Sequence, residues 1–348
     1  MAADAVDVLS LTRSLVDIDS TTGREREAGR WLADYLRRRG FAVTEQPVDG
    51  ERFNIIAAPA ASAGPVAPAD PSPAPQIVLS THFDCVPPFF PSRVEGDRLF
   101  GRGSCDAKGI AAAMVAAADR LRREGEMRVG LLFVVGEERG SDGARTADEA
   151  ANGSRFLING EPTDNRFGLA TRGILRVKLR ASGRAAHSAF PELGESAIDK
   201  LIDALVDLRA IELPVDEVLG RTHYTVGLIN GGIAPNVVPP SAAAEVMFRT
   251  VSDASLVRTA LAPLEQRVAI EDVLEVAPVR MTTIAGFPAS VFAYTTDIPF
   301  LTRWGKPLLF GPGSIHVAHT ADEFVSIAEL RAASDYYVTI ARALLEQV

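Results

Sequence analysis

Apolar residues recur at helical spacing near the start of the chain: Val6, Leu9, Leu11, Leu15, Val16 and Ile18, then Ala28, Trp31, Leu32, Tyr35 and Leu36 before Gly40. That period predicts two helices. The apolar runs then shorten. Phe41 to Val43, Asn54 to Ala57, Ile77 to Ser80, Met127 to Val135 and Phe156 to Asn159 are of strand length, and Ala107 to Arg123 between them is an Ala-rich helical stretch. A Pro/Ala/Ser-rich segment, Pro59 to Pro75, interrupts the series and predicts an exposed excursion. Strands alternating with helices imply a largely parallel sheet covered on both faces.

From Gly173 the period drops to two, with Leu175, Val177 and Leu179 alternating against Ile174, Arg176, Lys178 and Arg180. A helix over Glu195 to Arg209, strands over Thr222 to Ile229 and Ala242 to Arg249, a helix near Ser255 to Val268 and a strand near Val273 to Val276 complete an antiparallel α+β unit. The pattern of the first domain then resumes with the strand Pro307 to Phe310 and a closing amphipathic helix, Ile327 to Leu345. The fold class expected is α/β, with a mixed sheet covered by helices and an α+β domain inserted into it. The boundaries are 1–171, 172–282 and 283–348.

Composition narrows the function classes. The 348 residues are 47% hydrophobic, enough for two cores. With 36 Lys and Arg against 45 Asp and Glu, the net charge is -9, and no local basic patch offers a surface for nucleic acid or an anionic membrane. The runs Ile110 to Ala118 and Val129 to Val135 fall far short of the roughly 20 residues that cross a bilayer. The amino terminus does not read as a secretory signal, and two cysteines, Cys85 and Cys105, fit a reducing compartment. A cytoplasmic location is expected.

Sites in open α/β sheets form where loops leave the carboxyl ends of strands. The run Ile77 to Ser80 is followed by Thr81-His82-Phe83-Asp84, where His82 is suited to bind a metal and Asp84 to orient its ring through the second nitrogen. Asp106, at the mouth of the Ala-rich helix, has two readings: a helix cap, or a carboxylate whose two oxygens bridge two cations. Gly136-Glu137-Glu138 presents two acids after a buried strand. Amide hydrolysis at a metal centre needs one acid as ligand and another free to move a proton, and we assign Glu138 and Glu137 to these roles. Glu161 follows Phe156 to Asn159. Of the five histidines, His316 and His319 share one late loop, and the spacing alone does not decide between them.

Assembled, these segments resemble the family of acetylornithine deacetylase, succinyl-diaminopimelate desuccinylase, aminoacylase and carboxypeptidase G. The matching stretches are Ser80 to Pro87, Gly101 to Gly109, Gly136 to Ala144, Gly160 to Thr163, Gly183 to Ser188 and Gly311 to Glu323. The resemblance implies a zinc-peptidase-like fold whose inserted domain serves as lid and dimerisation unit. It implies two zinc ions per subunit, one on His82 and Glu161, the other on Glu138 and His319, with Asp106 bridging. It makes Glu137 the base and Asp84 the orienter. His187 matches a histidine that in dimeric relatives reaches the partner's site and stabilises the oxyanion. Asn236 and Arg249 match substrate-binding positions, with Arg249 directed at a substrate carboxylate, and the Gly311-Pro312-Gly313 turn is expected to supply backbone N–H groups to the same carboxylate.

The expected reaction is amide hydrolysis by a zinc-bound hydroxide that Glu137 generates, Glu137 then protonating the leaving amine. Cobalt or manganese can replace zinc on such a donor set. Glu161 within Gly160-Glu161-Pro162-Thr163 leans toward removal of an acyl group from an N-acyl amino acid, as in acetylornithine deacetylase. The rival is a carboxypeptidase or dipeptidase, which cuts the same bond beside the same carboxylate. A non-catalytic peptide-binding homologue ranks below both, because it has no use for Glu137.

Overall fold

The structure is a computed structural model that describes residues 5–60, 74–151 and 153–348. Most of the Pro/Ala/Ser-rich segment therefore lies outside the described residues. The chain divides into two compact units. The larger comprises residues 1–169, 281–290 and 296–348, and the smaller comprises residues 170–280 with 291–295. The expected boundaries at 171/172 and 282/283 stand next to these, with one difference: residues 291–295 go with the smaller unit.

The chain begins with helices α1 (Val8–Val16) and α2 (Arg26–Arg38). Strands β1 (Phe41–Asp49) and β2 (Arg52–Pro59) follow as an antiparallel hairpin. β1 is longer than the sequence pattern suggests because its positions after Val43 are mostly polar, and β2 extends past Asn54 to Ala57 by two residues at each end. The intervening Gly50 has φ +56, and so short a turn permits only antiparallel pairing. Next come β3 (Ile77–His82), α3 (Lys108–Arg123), β4 (Val129–Val134), α4 (Asp142–Glu149) and β5 (Phe156–Asn159). Every residue of β3, β4 and β5 is buried, as strands covered on both faces require.

In the smaller unit, β6 (Gly173–Ser182), α5 (Ala197–Ala210), β7 (His223–Gly231), β8 (Ser241–Thr250), α6 (Ala254–Leu261) and β9 (Ala269–Val276) form an antiparallel sheet, ordered β7-β8-β6-β9, with its helices. Its core draws Leu175, Val177 and Leu179 from β6, Leu201 and Leu208 from α5, and Val246 and Phe248 from β8. The helix expected over Ser255 to Val268 stops at Leu261 and continues as a 3-10 turn, Ala262–Gln266. Pro263 has no N–H to donate and crowds the preceding turn, which ends the α-helix.

The larger unit is completed by β10 (Lys306–Leu309) and α7 (Ile327–Leu345). Its sheet runs β1-β2-β4-β3-β5-β10. β4, β3, β5 and β10 are parallel, and β2 meets β4 antiparallel. The sheet is thus mixed, parallel at its centre and antiparallel at the hairpin edge. The Ala-rich α3 is buried from Lys108 through Asp119 because it is packed between α1, α7 and strands of the sheet. Parallel order places the carboxyl ends of β3, β4, β5 and β10 along one edge. Among the described residues no helix is long and apolar enough to cross a membrane.

Candidate metal centre

His82 is the last residue of β3 and is 1% exposed. Its Nδ1 lies 3.1 Å from the Asp84 carbonyl and 3.4 Å from Asp84 Oδ1, while Nε2 lies 3.0 Å from Asp106 Oδ1. Burial acts to lower the imidazole pKa, but the hydrogen bonds to Asp106 and Asp84 overcome it and raise the pKa well above the ordinary value. Asp84 does more than orient the ring. Its carboxylate accepts from Thr22 Oγ1 at 2.8 Å and from the backbone N–H groups of Glu137 and Glu138 at 3.1 and 3.3 Å. One buried acid thereby fixes the tautomer of His82 and the turn bearing two further acids.

Of the two readings of Asp106, the helix cap fails. The residue at the N-cap of α3 is Ala107, with no side-chain cap, and the Asp106 carboxylate points elsewhere. Its second oxygen, Oδ2, sits 3.2 Å from His319 Nε2, so the two oxygens of Asp106 serve two different imidazoles. Burial alone would raise this carboxyl, yet hydrogen bonds from His319 and His82 hold it below the usual range. His319 Nε2 also lies 2.9 Å from Glu138 Oε1, and its pKa is raised to about 10 by its bonds to Asp106 and Glu138. His316 is exposed and joins neither cluster.

Two donor groups result: His82, Asp106 and Glu161, and Asp106, Glu138 and His319. Within each, the donor atoms lie within 4.8 Å of one another, and Asp106 belongs to both. Nitrogen and carboxylate donors in this number suit zinc, manganese or cobalt. Two observations favour cations here. Glu161 is buried with Oε1 lacking any hydrogen-bond partner. Burial also pushes the Glu161, Glu137 and Glu138 carboxyls upward, neighbouring acids adding to it, which is the signature of excess negative charge without a counterion. The residues present therefore fit two bound cations.

Glu137 belongs to neither donor group. Burial raises its pKa well above the ordinary value. It sits on the turn after β4, where Gly136 has φ +75 and a Cβ would meet Asp142 Oδ1 at 1.9 Å, so only glycine fits. Asn54 steadies the same turn, accepting from Val135 N at 3.2 Å and donating to the Gly143 carbonyl at 2.8 Å.

Three acids and two arginines to which the sequence pattern assigns no role also build this site. Glu323 holds the Asp106 loop, with Arg102 beside it. Asp297 is buried among Ser141, Asp84 and Glu137, and burial lifts its carboxyl to about 7. Glu25 pairs with Arg52, which also engages Asp142 beyond the Glu137 turn. None follows an apolar strand at the spacing that exposes the ligands. Only Glu323 and Arg102 have a signal, standing in the matched segments Gly311 to Glu323 and Gly101 to Gly109.

The remaining candidates join neither donor group. In the Gly311-Pro312-Gly313 turn, the first two residues have no N–H left for a substrate carboxylate. Gly311 donates to Thr163 Oγ1 at 2.9 Å, and Pro312 has no N–H. Gly313 has a packing reason: with φ +83, a Cβ there would meet Cys105 Sγ at 2.6 Å. In the smaller unit, His187 is exposed and its Nδ1 accepts from Ala189 N at 3.1 Å, leaving Nε2–H free to donate. Ser188 N donates to the Asn236 carbonyl at 3.0 Å, and His187 bridges to Val237, so the His187 and Asn236 loops are joined. Arg249 lines a cavity of about 410 Å³ with Arg176, His223, Tyr224, Glu245 and Met247, and burial and then Arg172 lower its pKa.

A parallel sheet whose strand ends gather two donor groups around one shared carboxylate, with a free acid beside them, defines a candidate binuclear metal hydrolase. Residues 78–343 match peptidase family M20/M25/M40, and the chain belongs to that family of metallopeptidases. It is 37% identical over 388 residues to a protein of Neosartorya fischeri named "Probable carboxypeptidase", covering 99% of this chain and 88% of that one. Among solved structures, aminopeptidase PepT from Bacillus cereus superimposes with a TM-score of 0.78 at 18% identity, covering 96% of each chain. The YXEP protein of Bacillus subtilis, described as a dinuclear metal binding peptidase, does so with a TM-score of 0.72 at 15% identity, covering 98% of each. Those two likenesses are of fold.

Proposed function

We propose that this protein is a two-metal carboxypeptidase or dipeptidase that hydrolyses the amide bond next to a terminal carboxylate. The observation that carries the reading is the shared Asp106 bridge with Glu137 left outside both donor groups. His82, Asp106, Glu161, Glu138 and His319 would hold two divalent cations, zinc by choice of donors, which supply Lewis acidity toward the scissile carbonyl and a water. Glu137 takes the proton from that water and returns it to the leaving amine. Asp84 keeps His82 in one tautomer and the Glu137 turn in place. On the smaller unit, His187 has an Nε2–H suited to an oxyanion, and Arg249, half-buried and without a carboxylate partner among the described residues, is suited to a terminal carboxylate.

The peptidase reading stands ahead of the N-acyl amino acid deacylase because the fungal relative bears a carboxypeptidase name over nearly the whole chain. Deacylation is kept as the second reading on the strength of Glu161 in Gly160-Glu161-Pro162-Thr163. A homodimer through the smaller unit is part of the proposal. The edge strand β7 exposes Leu228 at 61% and Ile229 at 60%, and α5 exposes Val206 at 56%, apolar surface that suits an interface. A cytoplasmic location is proposed with it, the two cysteines being free and buried. Amine release from dipeptides and from N-acetyl amino acids, measured after chelation and again with zinc restored, tests the assignment. Metal-dependent release from dipeptides is expected; release confined to acyl amino acids moves the enzyme to the second reading, and silence on both sinks the catalytic proposal.

A further inference from the structure

The segment that carries Asp106, Gly101 to Ala107, lies between β-structure and α3 and is neither helix nor strand. Something outside it must fix its shape, because a bridging ligand displaced by about 1 Å loses the geometry a metal site requires. The hydrogen bonds identify the agent. Glu323 is 0% exposed, and its Oε1 accepts three main-chain N–H groups of this one loop: Gly103 at 2.9 Å, Cys105 at 3.1 Å and Asp106 at 3.1 Å. Its Oε2 accepts from Arg102 Nη1 at 2.5 Å, and its own carbonyl accepts from Gly101 N at 3.1 Å. Both ends of one residue thus grip the loop.

Glu323 also stands four residues after His319, on the segment that supplies the other imidazole of the bridge. We infer that Glu323 is a positioning residue for the metal centre, its buried carboxylate locking the Asp106 loop to the His319 segment so that the two Asp106 oxygens face His82 and His319. The last of the three amides belongs to the bridging ligand itself. The inference rests on the metal-centre reading above and deepens it.

Glu323→Gln tests it. The amide can still offer one oxygen to the three N–H groups, but its NH2 then faces the Arg102 guanidinium, donor against donor. Metal-free full-length protein would be titrated with Zn2+ by calorimetry, with Co2+ absorption as a second readout of ligand geometry. Wild type is expected to take two ions, and E323Q to bind roughly 10- to 100-fold more weakly with an altered Co2+ spectrum, as loss of a group that orients metal ligands does. The double variant E323Q/R102M, which removes the facing donor, is expected to regain most of the affinity. Asp119→Asn is the control: Asp119 is 0% exposed and paired with Arg39, Arg122 and Arg123 on α3 away from the donors, so its loss should lower the melting temperature and leave Zn2+ affinity unchanged. Wild-type affinity in E323Q, or equal weakening in D119N, overturns the positioning role. No binding by the wild-type chain overturns the metal centre and this inference with it.

Discussion

The two units bury polar side chains on opposite terms. Among the described residues, the smaller unit buries no charged group; Thr171, Thr222 and Thr250 are its buried polar residues, and the rest of its core is aliphatic with Phe248. The larger unit buries His82, Asp84, Asp106, Glu161, Asp297 and Glu323 at one edge of its sheet. Burying that many acids is unfavourable unless they are paired, bonded or bound to cations, so their persistence together points to a task other than stability. The smaller unit shows the reverse arrangement: regular alternation inside, and exposed Leu228, Ile229 and Ile233 outside, where a surface facing only water would carry charge. One unit gives up stability for chemistry, and the other concentrates it.

That contrast breaks first at Glu137. Glu137→Gln is expected to lower kcat by about 10²- to 10⁴-fold on a dipeptide while metal content, measured by elemental analysis, stays at the wild-type level. Loss of metal together with activity would mean that Glu137 is a ligand and that the division of roles with Glu138 is mistaken.

Phe248→Ala probes the other unit. Phe248 is fully buried in the smaller core, and its truncation is expected to cost about 3–5 kcal/mol in a denaturant titration. Zinc affinity of the folded fraction should not change. A Phe248 variant as stable as wild type would refute the claim that this core concentrates stability.

The acid cluster predicts an unusual pH profile for the metal-free protein. Asp297, raised by burial to about 7, is protonated in the folded chain where an unfolded aspartate is already ionised. Its contribution is present below the unfolded value and is lost as pH rises through about 7. Glu137 and Glu161, also raised by burial, act in the same direction, as does His319, raised to about 10 by its carboxylate partners. The melting temperature after chelation should fall by roughly 5 °C or more from pH 5 to pH 8. Added zinc and Asp297→Asn should each reduce the fall; a profile that rises with pH would contradict this account.

The smallest effect is expected at the exposed edge. Leu228→Lys should alter stability by no more than about 0.5 kcal/mol, being a surface change, yet shift a dimer toward monomer in sedimentation. A wild-type chain that sediments as a monomer would remove the reason offered for the exposed leucine and isoleucine.

Much of this is legible in order along the chain. Period-two alternation from Gly173 marks β6, apolar runs mark β3, β4 and β5, and three of the five donors, His82, Glu138 and Glu161, stand at or just after the ends of those runs, because side-chain periodicity and strand ends are local properties. The same pattern is silent on β1 beyond Val43, where the strand's polar outer face hides its length, and on α4, too short and polar to show a clear apolar stripe.

What the sequence alone determined was the list of ligand types and the elements that present them. Spacing left Asp106 between a helix cap and a bridge and left His316 and His319 undecided, and the resemblance chose the bridge and His319; the tertiary structure sets Asp106 between two imidazoles and brings His319, not His316, into the cluster. It alone gave Glu323 and Asp297 a place. The physical reason is that a carboxylate's role depends on which donors surround it after folding, and those donors come from strands and loops more than a hundred residues distant, as Glu323 and Asp106 are.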